Sequence, residues 1–502
     1  MTTQIWTKDQ TKAQDGHAMA NGVPFLSLME VAGSKVAQYI RTRLKFEQRQ
    51  IEVLAGKGAN GGDGLVVARY LAPYYDVTVR LVDGVPRFDG AEAMLRAAQS
   101  LGAQVKTGWP ADLAADLLVD GVFGTGFHGS VNNTPLADIY ESINRRQIPV
   151  VAIDLLSGVA ADSGDYHGPS INALATITFG ASKWGHWGYP GASMRGELVV
   201  ADIGLGVIGE STDCWLDART AKEWLPSLSQ LGHKYQRGRV VVVGGSKNMA
   251  GAPLLSAMAA LRTGAGLVTL IVPQGVADRI AAPPTILVHE GPGSHGSLHW
   301  SDEETRLAAA ADVIVVGPGL GQGVAPAVLE ALLGLGKPTV IDADGLRLLK
   351  QYSRGTGTSA PMILTPHSGE AARLLDLQDV DQDRPKAARQ LMDRYQATVI
   401  LKGAYSIIGD MGKLTVNPTG TPEMATPGSG DVLAGMVGSL LAQGLDPGAA
   451  AALAAYWHGW AGMVAKNRYG QSVVATDLID GIAKARRWVE DQACPSSAPT
   501  SM

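Results

Sequence analysis

Cysteine is scarce: two residues in 502, Cys214 and Cys494, are too few for a disulfide framework or a thiolate zinc cage. That scarcity suits a reducing compartment. No uninterrupted apolar run approaches the ~20 residues that cross a bilayer as a helix. The first twenty residues, MTTQIWTKDQTKAQDGHAMA, lack the basic-then-apolar pattern of a secretory leader. The expected location is therefore the cytoplasm. Also missing is any run of Lys and Arg interleaved with aromatics; charged residues are 18% and the formal net charge is −5. Nothing draws such a chain to nucleic acid or to an anionic membrane, which leaves small molecules as the expected partners.

What the chain has in excess is glycine, 62 residues, against a hydrophobic content of 46%. The glycines cluster directly after short apolar runs: IEVLAG (51–56), DLLVDG (116–121), VVAID (150–154), VVVVGG (240–245), VIVVGPG (313–319), TVIDADG (339–345) and TVILKG (398–403). Runs of this kind, apolar on both faces, are the signature of central parallel strands. Helix-patterned segments lie between them: GLVVARYLA (64–72), AEAMLRAAQSLGA (91–103), PLLSAMAALRTG (253–264) and GEAARLLDL (369–377). The alternation predicts an α/β chain of doubly wound architecture, whose ligand sites lie at strand-to-helix turns. A chain of this length exceeds one compact core. A polar stretch with Trp215, Trp224 and Pro226 separates two strand-rich blocks, so the division is expected near 212, with domains 1–212 and 213–490 and a polar tail, 491–502. The Ala-rich segment 450–465 is expected in the core rather than at a subunit interface.

Three turns of the first block carry chemistry. GKGANGGDG (56–64) follows a buried strand and precedes a helix, where close backbone N–H groups and the helix terminus favour an anion such as phosphate. It is neither a GK[ST] phosphate loop nor a clean GxGxxG fingerprint. A tight turn alone explains glycine, but not Asn60 together with Asp63. DGVFGTGFHGS (120–130) puts Asp120 at a strand end, and AIDLLSG (152–158) puts Asp154 and Ser157 at another. Converging strand ends would gather amide donors, an amide oxygen and two carboxylates round one crevice. Taken singly, each Asp also suits a helix cap or an Asx turn.

The second block has its own anion site. In ATPGSGDVLAGMVGSLLAQG (425–444) a glycine turn opens a long helix, and Asp431 lies in its first turn. A carboxylate where anions gather is awkward unless it works as a base, taking a hydroxyl proton as that oxygen attacks a phosphoryl group. LKGAYS (401–406) ends a strand, and LTPHSGE (364–370) places His367 on a further loop, where a histidine can equally be structural or solvated.

On LMEVAG (28–33), GKGANGGDGLVVARYL (56–71), DGVFGTG (120–126), IDLLSG (153–158) and FGASKWGHWGYPG (179–191), in that order, the N-terminal half resembles the NAD(P)H-hydrate epimerase family. It departs where Ala59 stands for the first of two Asn, and where Leu156 and Trp184 each stand for a proline. The resemblance implies that Ala59, Asn60, Gly61, Gly62 and Asp63, with Gly124, Thr125, Gly126, Phe127, His128, Gly129 and Ser130, hold the substrate's phosphates and ribose. It implies potassium ligands at Asn60, Asp120 and Ser157. Asp154 would meet the damaged ring as the acid–base group, with Lys183 as partner or as a merely structural lysine.

GSGD (428–431), GPGLG (317–321), DADGL (342–346), TPHSGE (365–370) and GAPLLSAMAALRTGAGLVT (251–269) together resemble the nucleotide-dependent NAD(P)H-hydrate dehydratase family, a ribokinase-like fold, over about 230–485. By that resemblance Gly319, His367, Asp431 and Ser256 face the hydrated dinucleotide. Lys402, Gly403, Ala404, Tyr405, Ser406 and Gly430 hold the nucleotide, implied to be ADP, and magnesium accompanies the phosphates. Together the two resemblances imply a Rossmann-like epimerase domain fused to a dehydratase domain, in a cytoplasmic homo-oligomer acting on hydrated NADH and NADPH. The alternative is a ribokinase-like small-molecule kinase with a dinucleotide-binding regulatory N-terminal domain. A kinase accumulates a phosphorylated product, whereas a repair enzyme regenerates the reduced cofactor.

Overall fold

The computed structural model describes residues 3–43, 50–110, 113, 115–169, 171–206, 213–227, 233–294, 297–352, 360–491 and 500–501. The chain forms two compact units, one of Met1–Cys214 with Ser496–Met502 and the other of Trp215–Pro495. Among the described residues no helix is long and apolar enough to cross a membrane. Cys214 is partly buried, and Cys494 lies outside the described residues.

In the first unit the strands run across the sheet in the order Gln104–Thr107, Asp76–Leu81, Gln50–Ala55, Leu117–Gly121, Val150–Ile153, Ala175–Phe179 and Glu197–Ala201, all parallel. Thr500–Ser501, from the tail, adds beside the last of these. The apolar runs behave as expected: Val53 pairs with both Val79 and Val119, and all three are fully buried. Each fully buried Val, Leu or Ile contributes roughly 1.5–3 kcal/mol relative to exposure. The sheet therefore fixes where the strand ends lie. Chain direction across the sheet reverses between Gln50–Ala55 and Leu117–Gly121, the kind of switch point at which such sheets open a ligand crevice.

One expectation is corrected. The segment 59–64 is not a loop before the helix; the helix spans Ala59–Leu71, so Asn60, Gly61, Gly62 and Asp63 form its first turns. The reason is close packing of helix on strand end. A Cβ on Gly61 would overlap the Gly56 carbonyl oxygen, and one on Gly62 would meet Met29 Sδ at 2.5 Å.

The N-terminal segment has a defined place. Ile5–Trp6 pairs in parallel with Ser182–Lys183, Trp6 opposite Lys183. The helix Lys8–Ala20 follows at once, capped by Thr7 and Gln10 in a reciprocal capping box.

In the second unit the order is Ile286–Gly291, Leu267–Pro273, Arg239–Val243, Val313–Val316, Thr339–Ile341, Met362–Leu364 and Thr398–Leu401, all parallel. The antiparallel pair Ile407–Asp410 and Lys413–Val416 follows. The reversal again falls beside the first strand, between Arg239–Val243 and Val313–Val316. Helices Gly251–Thr263, Ser429–Ala442 and Pro447–Tyr469 pack into one core, in which Trp457 and Leu440 are buried, so 450–465 lies in the core.

Candidate functional sites

The first site is a cavity of about 680 Å³ at the carboxyl ends of the first unit's strands. Its wall includes Ala59, Asn60, Asp63, Gly124, Thr125, Gly126, Phe127, His128, Asp154 and Lys183. The predicted turns therefore converge. Gly61 and Gly62 are not on the wall, because they face the strand end and Met29. Gly129 and Ser130 also lie off it; the Ser130 hydroxyl donates to the His167 carbonyl.

Asp154 stands where Val150–Ile153 ends, in a left-handed conformation with φ 65° that few non-glycine residues adopt. Its N–H donates to the Ile177 carbonyl at 2.7 Å, which helps fix the turn. Asp154 Oδ1 accepts from Lys183 Nζ at 2.7 Å and from the Thr178 hydroxyl at 2.8 Å, while that hydroxyl accepts from Lys183 at 2.8 Å. Lys183 is 1% exposed. Burial alone would lift the Asp154 carboxyl, but the ammonium beside it wins and holds it below the ordinary range. His186, pushed down to about 3 by burial, is neutral. Its Nδ1 accepts from the Lys183 N–H at 2.9 Å, so Nε2 carries the proton and donates to the Asp154 carbonyl at 2.8 Å. Leu156 and Trp184, at the two proline positions, are both buried; Leu156 joins an apolar cluster with Val159 and Ala161, and Trp184 opens the single turn Trp184–His186.

Beside this pair the helix Ala59–Leu71 starts behind Gly58 with no side-chain cap, so its first N–H groups remain available to an anion. Asp63, on its second turn, is 8% exposed. Burial, and then Asp154 and Asp15, raise its carboxyl well above the ordinary value.

Asp120 and Ser157 form a buried oxygen cluster. The Asp120 carboxylate accepts from the Ser157 N–H at 2.8 Å, the Ser157 hydroxyl at 2.6 Å and the Tyr140 hydroxyl at 3.0 Å. The Ser157 hydroxyl accepts from the Phe123 N–H at 2.8 Å. The Asn60 amide donates to the Phe123 and Ile153 carbonyls at 2.9 and 3.1 Å. Asn60, Asp120 and Ser157 thus gather around one turn, and their side chains offer oxygen donors with a single carboxylate, a set that fits a hard cation.

The wall also contains residues that the motifs did not mark. Thr11 and Asp15 come from the helix Lys8–Ala20, and Lys8 Nζ lies 2.6 Å from His128 Nε2. Lys8 also ties the helix down through its N–H, which donates to Asp162 at 2.7 Å. No local pattern marked this segment, whose sequence served only to exclude a secretory leader.

The second site lies at the carboxyl ends of the second sheet. Gly428, with φ 91°, caps the helix Ser429–Ala442 in a left-handed turn and offers no side-chain cap. Asp431 sits in the first turn with its acidity reversed: burial first, then the Asp342 carboxylate, lift it to about 7, against the pull of Lys402. Lys402 was expected at the nucleotide. Its ammonium bonds Asp342 Oδ1 at 2.8 Å and lies 3.8 Å from Glu370 Oε2, and a Cβ on Gly430 would be 3.2 Å from it. Thr365 donates to the same Asp342 oxygen at 2.7 Å. Asp342 and Glu370 were inside quoted motifs yet unassigned; a carboxylate closing a central strand was the available signal.

His367 caps the helix Ser368–Leu375, its Nδ1 accepting from the Gly369 N–H at 3.0 Å, and leaves the ring partly exposed. Gly319 ends the turn after Val313–Val316. Gly403, Ala404, Tyr405 and Ser406 form an accessible turn closed by the Ser406 hydroxyl on the Gly403 carbonyl at 2.9 Å. Ser256 corrects an expectation: it is fully buried and donates to the Asp431 backbone carbonyl at 2.7 Å, so it supports the helix start and does not face a ligand.

Comparison with known proteins matches residues 26–185 to a family model described as YjeF-related protein N-terminus and residues 240–484 to one described as NAD(P)H-hydrate dehydratase. The bifunctional NAD(P)H-hydrate repair enzyme Nnr of Moorella thermoacetica is 40% identical over 498 residues, covering 94% of each chain. The protein of the same name from Salinibacter ruber is 34% identical, covering 96% of this chain and 95% of that one. The one from Escherichia coli is 33% identical, covering 96% and 93%.

Proposed function

We propose that this chain, which belongs to the family of bifunctional NAD(P)H-hydrate repair enzymes, uses its first unit to epimerise hydrated NADH and NADPH and its second to dehydrate one epimer with ADP. One observation carries the reading: each unit places a carboxylate of perturbed acidity among strand ends that also present an uncapped helix N-terminus. The uncapped termini receive phosphate groups, and the carboxylates handle the protons.

In the first unit the dinucleotide phosphates lie against residues 58–60 and the 124–128 turn. The damaged ring then reaches Asp154, which Lys183 and Thr178 hold ionised and oriented. Asn60, Asp120 and Ser157 would hold potassium, which would supply positive charge beside the phosphates.

In the second unit Asp431 takes the proton of the ring hydroxyl as that oxygen is phosphorylated, and the helix terminus stabilises the phosphoryl charge. The phosphate then leaves with the oxygen, and loss of a neighbouring ring proton restores the double bond. Gly430 and the 403–406 turn hold the nucleotide, with magnesium accompanying its phosphates. Lys402 acts from beneath, through Asp342 and Asp431. Cytoplasmic residence and self-association are carried over from the resemblance.

The test is a mixture of both hydrate epimers with ADP, magnesium and potassium, followed by the return of reduced-nicotinamide absorbance. Recovery of the whole pool faster than spontaneous epimerisation is expected. A plateau at the share of one epimer refutes the role of the first unit; no recovery, with a phosphorylated product accumulating, refutes that of the second.

A further inference from the structure

We propose that Asp15, on the N-terminal helix Lys8–Ala20, is a second acid–base residue of the epimerase cavity, working with Asp154 so that one carboxyl protonates the departing hydroxyl while the other deprotonates the arriving water. The proposal rests on the epimerase reading and names the group that reading lacks.

Chemistry demands two groups. The ring nitrogen of a reduced nicotinamide pushes electrons toward the carbon β to it, so hydration leaves the hydroxyl on the carbon next to nitrogen. Inversion at that carbon breaks the C–O bond as the nitrogen lone pair forms C=N⁺, and the hydroxyl takes a proton and leaves as water. A solvent water then adds to the other face, the C=N⁺ electron pair returns to nitrogen, and a base removes the surplus proton. One proton is given and one is taken. The groups must start in opposite protonation states, and they exchange states when the reaction runs in reverse.

Geometry supplies both. Asp154 is locked to Lys183 and Thr178 at 2.7 and 2.8 Å, with its carboxylate committed as an acceptor. Asp15 reaches the same cavity from a separate element. That element is placed by the catalytic lysine's own strand: Ile5–Trp6 pairs with Ser182–Lys183, Thr7 caps the helix, and Lys8 bonds the 124–130 turn at His128 and Asp162 on a further turn. A helix needed only to cover the cavity would do so with an apolar side chain at 15. Asp15 feels Asp63 from the helix Ala59–Leu71 and Asp154 and Lys183 from the strand ends; His128 and Lys57 share the cavity wall with it, and Lys8, on its own helix, turns to His128. Burial, with Asp154 adding, keeps the Asp15 carboxyl above its ordinary value despite Lys183, opposite in direction to Asp154. Two carboxyls whose surroundings push them apart are the pattern of an acid and a base sharing one site.

The test follows exchange of one purified hydrate epimer by the full chain, without ADP so that dehydration is silent, across pH 5.5–9. Asp15→Asn, Asp15→Glu and Asp154→Asn are run beside the parent protein. Asp15→Asn is expected to lower kcat for exchange about 100-fold or more, with KM within about threefold. Its pH profile should also differ in shape from the parent's, and Asp15→Glu should restore that shape and a rate of about a tenth or more of the parent's. Exchange by Asp15→Asn within about threefold of the parent, while Asp154→Asn is inactive, overturns the role of Asp15 and leaves the epimerase reading standing. Loss carried by KM, with Asp15→Glu equally impaired, makes the residue a packing element and overturns it as well. A parent protein that does not accelerate exchange overturns the epimerase reading and this proposal together.

Discussion

Asp342→Asn tests whether the carboxylate cluster tunes Asp431. In the parent protein Asp431 titrates near 7, raised by burial and by Asp342 and lowered by Lys402. The base is active when deprotonated, so dehydration should rise with pH through that value. By simple titration about a tenth of the base is ready at pH 6 and about nine-tenths at pH 8. Replacing Asp342 removes one repelling charge and also releases Lys402, now bonded to Asp342 at 2.8 Å, to face Asp431. Both changes lower the pKa of Asp431, by about one unit on the scale of a single neighbouring charge. At pH 6 the variant should then run at about half of its own plateau rather than about a tenth. Lys402→Met is the mirror image: it strips the neutralising charge from three carboxylates and should move the limb up by a similar amount. The assay is kcat/KM for the hydrate at fixed magnesium and ADP over pH 5.5–9, each variant normalised to its own plateau. Nucleotide phosphate titrates identically in all three proteins, so the displacement between variants carries the result. Superimposed limbs, or both variants moving in one direction, would refute the electrostatic coupling whatever the plateau rates.

Asp431→Asn should reduce dehydration by about 100-fold or more while epimer exchange by the same chain stays at the parent rate; retained dehydration removes Asp431 from the mechanism. For Asp154→Asn the pattern inverts: absorbance recovery should stop at the share of one epimer, and a return to full recovery at the parent rate shows that Asp154 is dispensable. Gly61→Ala forces a Cβ into the Gly56 carbonyl, at a cost of about 1–3 kcal/mol for an overpacked contact. Thermal inactivation of epimer exchange should then fall by several degrees, with dehydration spared, and an unchanged inactivation temperature would show that the helix start yields without strain.

How much could be read without coordinates follows the length scale of each signal. Central strands were legible because burial on both faces leaves short apolar runs rich in β-branched residues and closed by glycine; Val240–Val243 and Val313–Val316 are instances. Turn residues at their ends were legible for the same reason, since a strand end fixes the next few residues. Asp120, Asn60 and Ser157 therefore meet where the strand pattern placed them. The start of the helix at Ala59 was not legible, because glycine within a helix defies propensity and is explained only by the nearness of Gly56 and Met29 in space. Ser256 failed for a related reason. Its neighbour is a backbone carbonyl 175 residues away, and no local pattern distinguishes a hydroxyl that props a helix from one that faces a ligand. The cluster of Asp342, Lys402, Glu370 and Asp431 unites four separate turns, each unremarkable alone, so its electrostatics exist only after folding.

The helix Lys8–Ala20 is the sharpest instance. Its composition is that of a solvated surface helix, and no glycine or apolar run precedes it to announce a site. Its position comes instead from two residues, Ile5 and Trp6, whose pairing partner is the strand carrying Lys183. A polar helix anchored this way can bring a carboxyl into a cavity at little cost to the core, because the sheet beneath stays apolar. The same economy operates in the second unit. Asp431 rides on a helix whose remaining face is buried in the core, and only the first turn behind Gly428 is exposed to chemistry. In both units the stable sheet sets the floor, while the proton-handling groups sit on strand ends and on helices laid over them, where neighbouring charges can shift acidity without disturbing the packing that holds them.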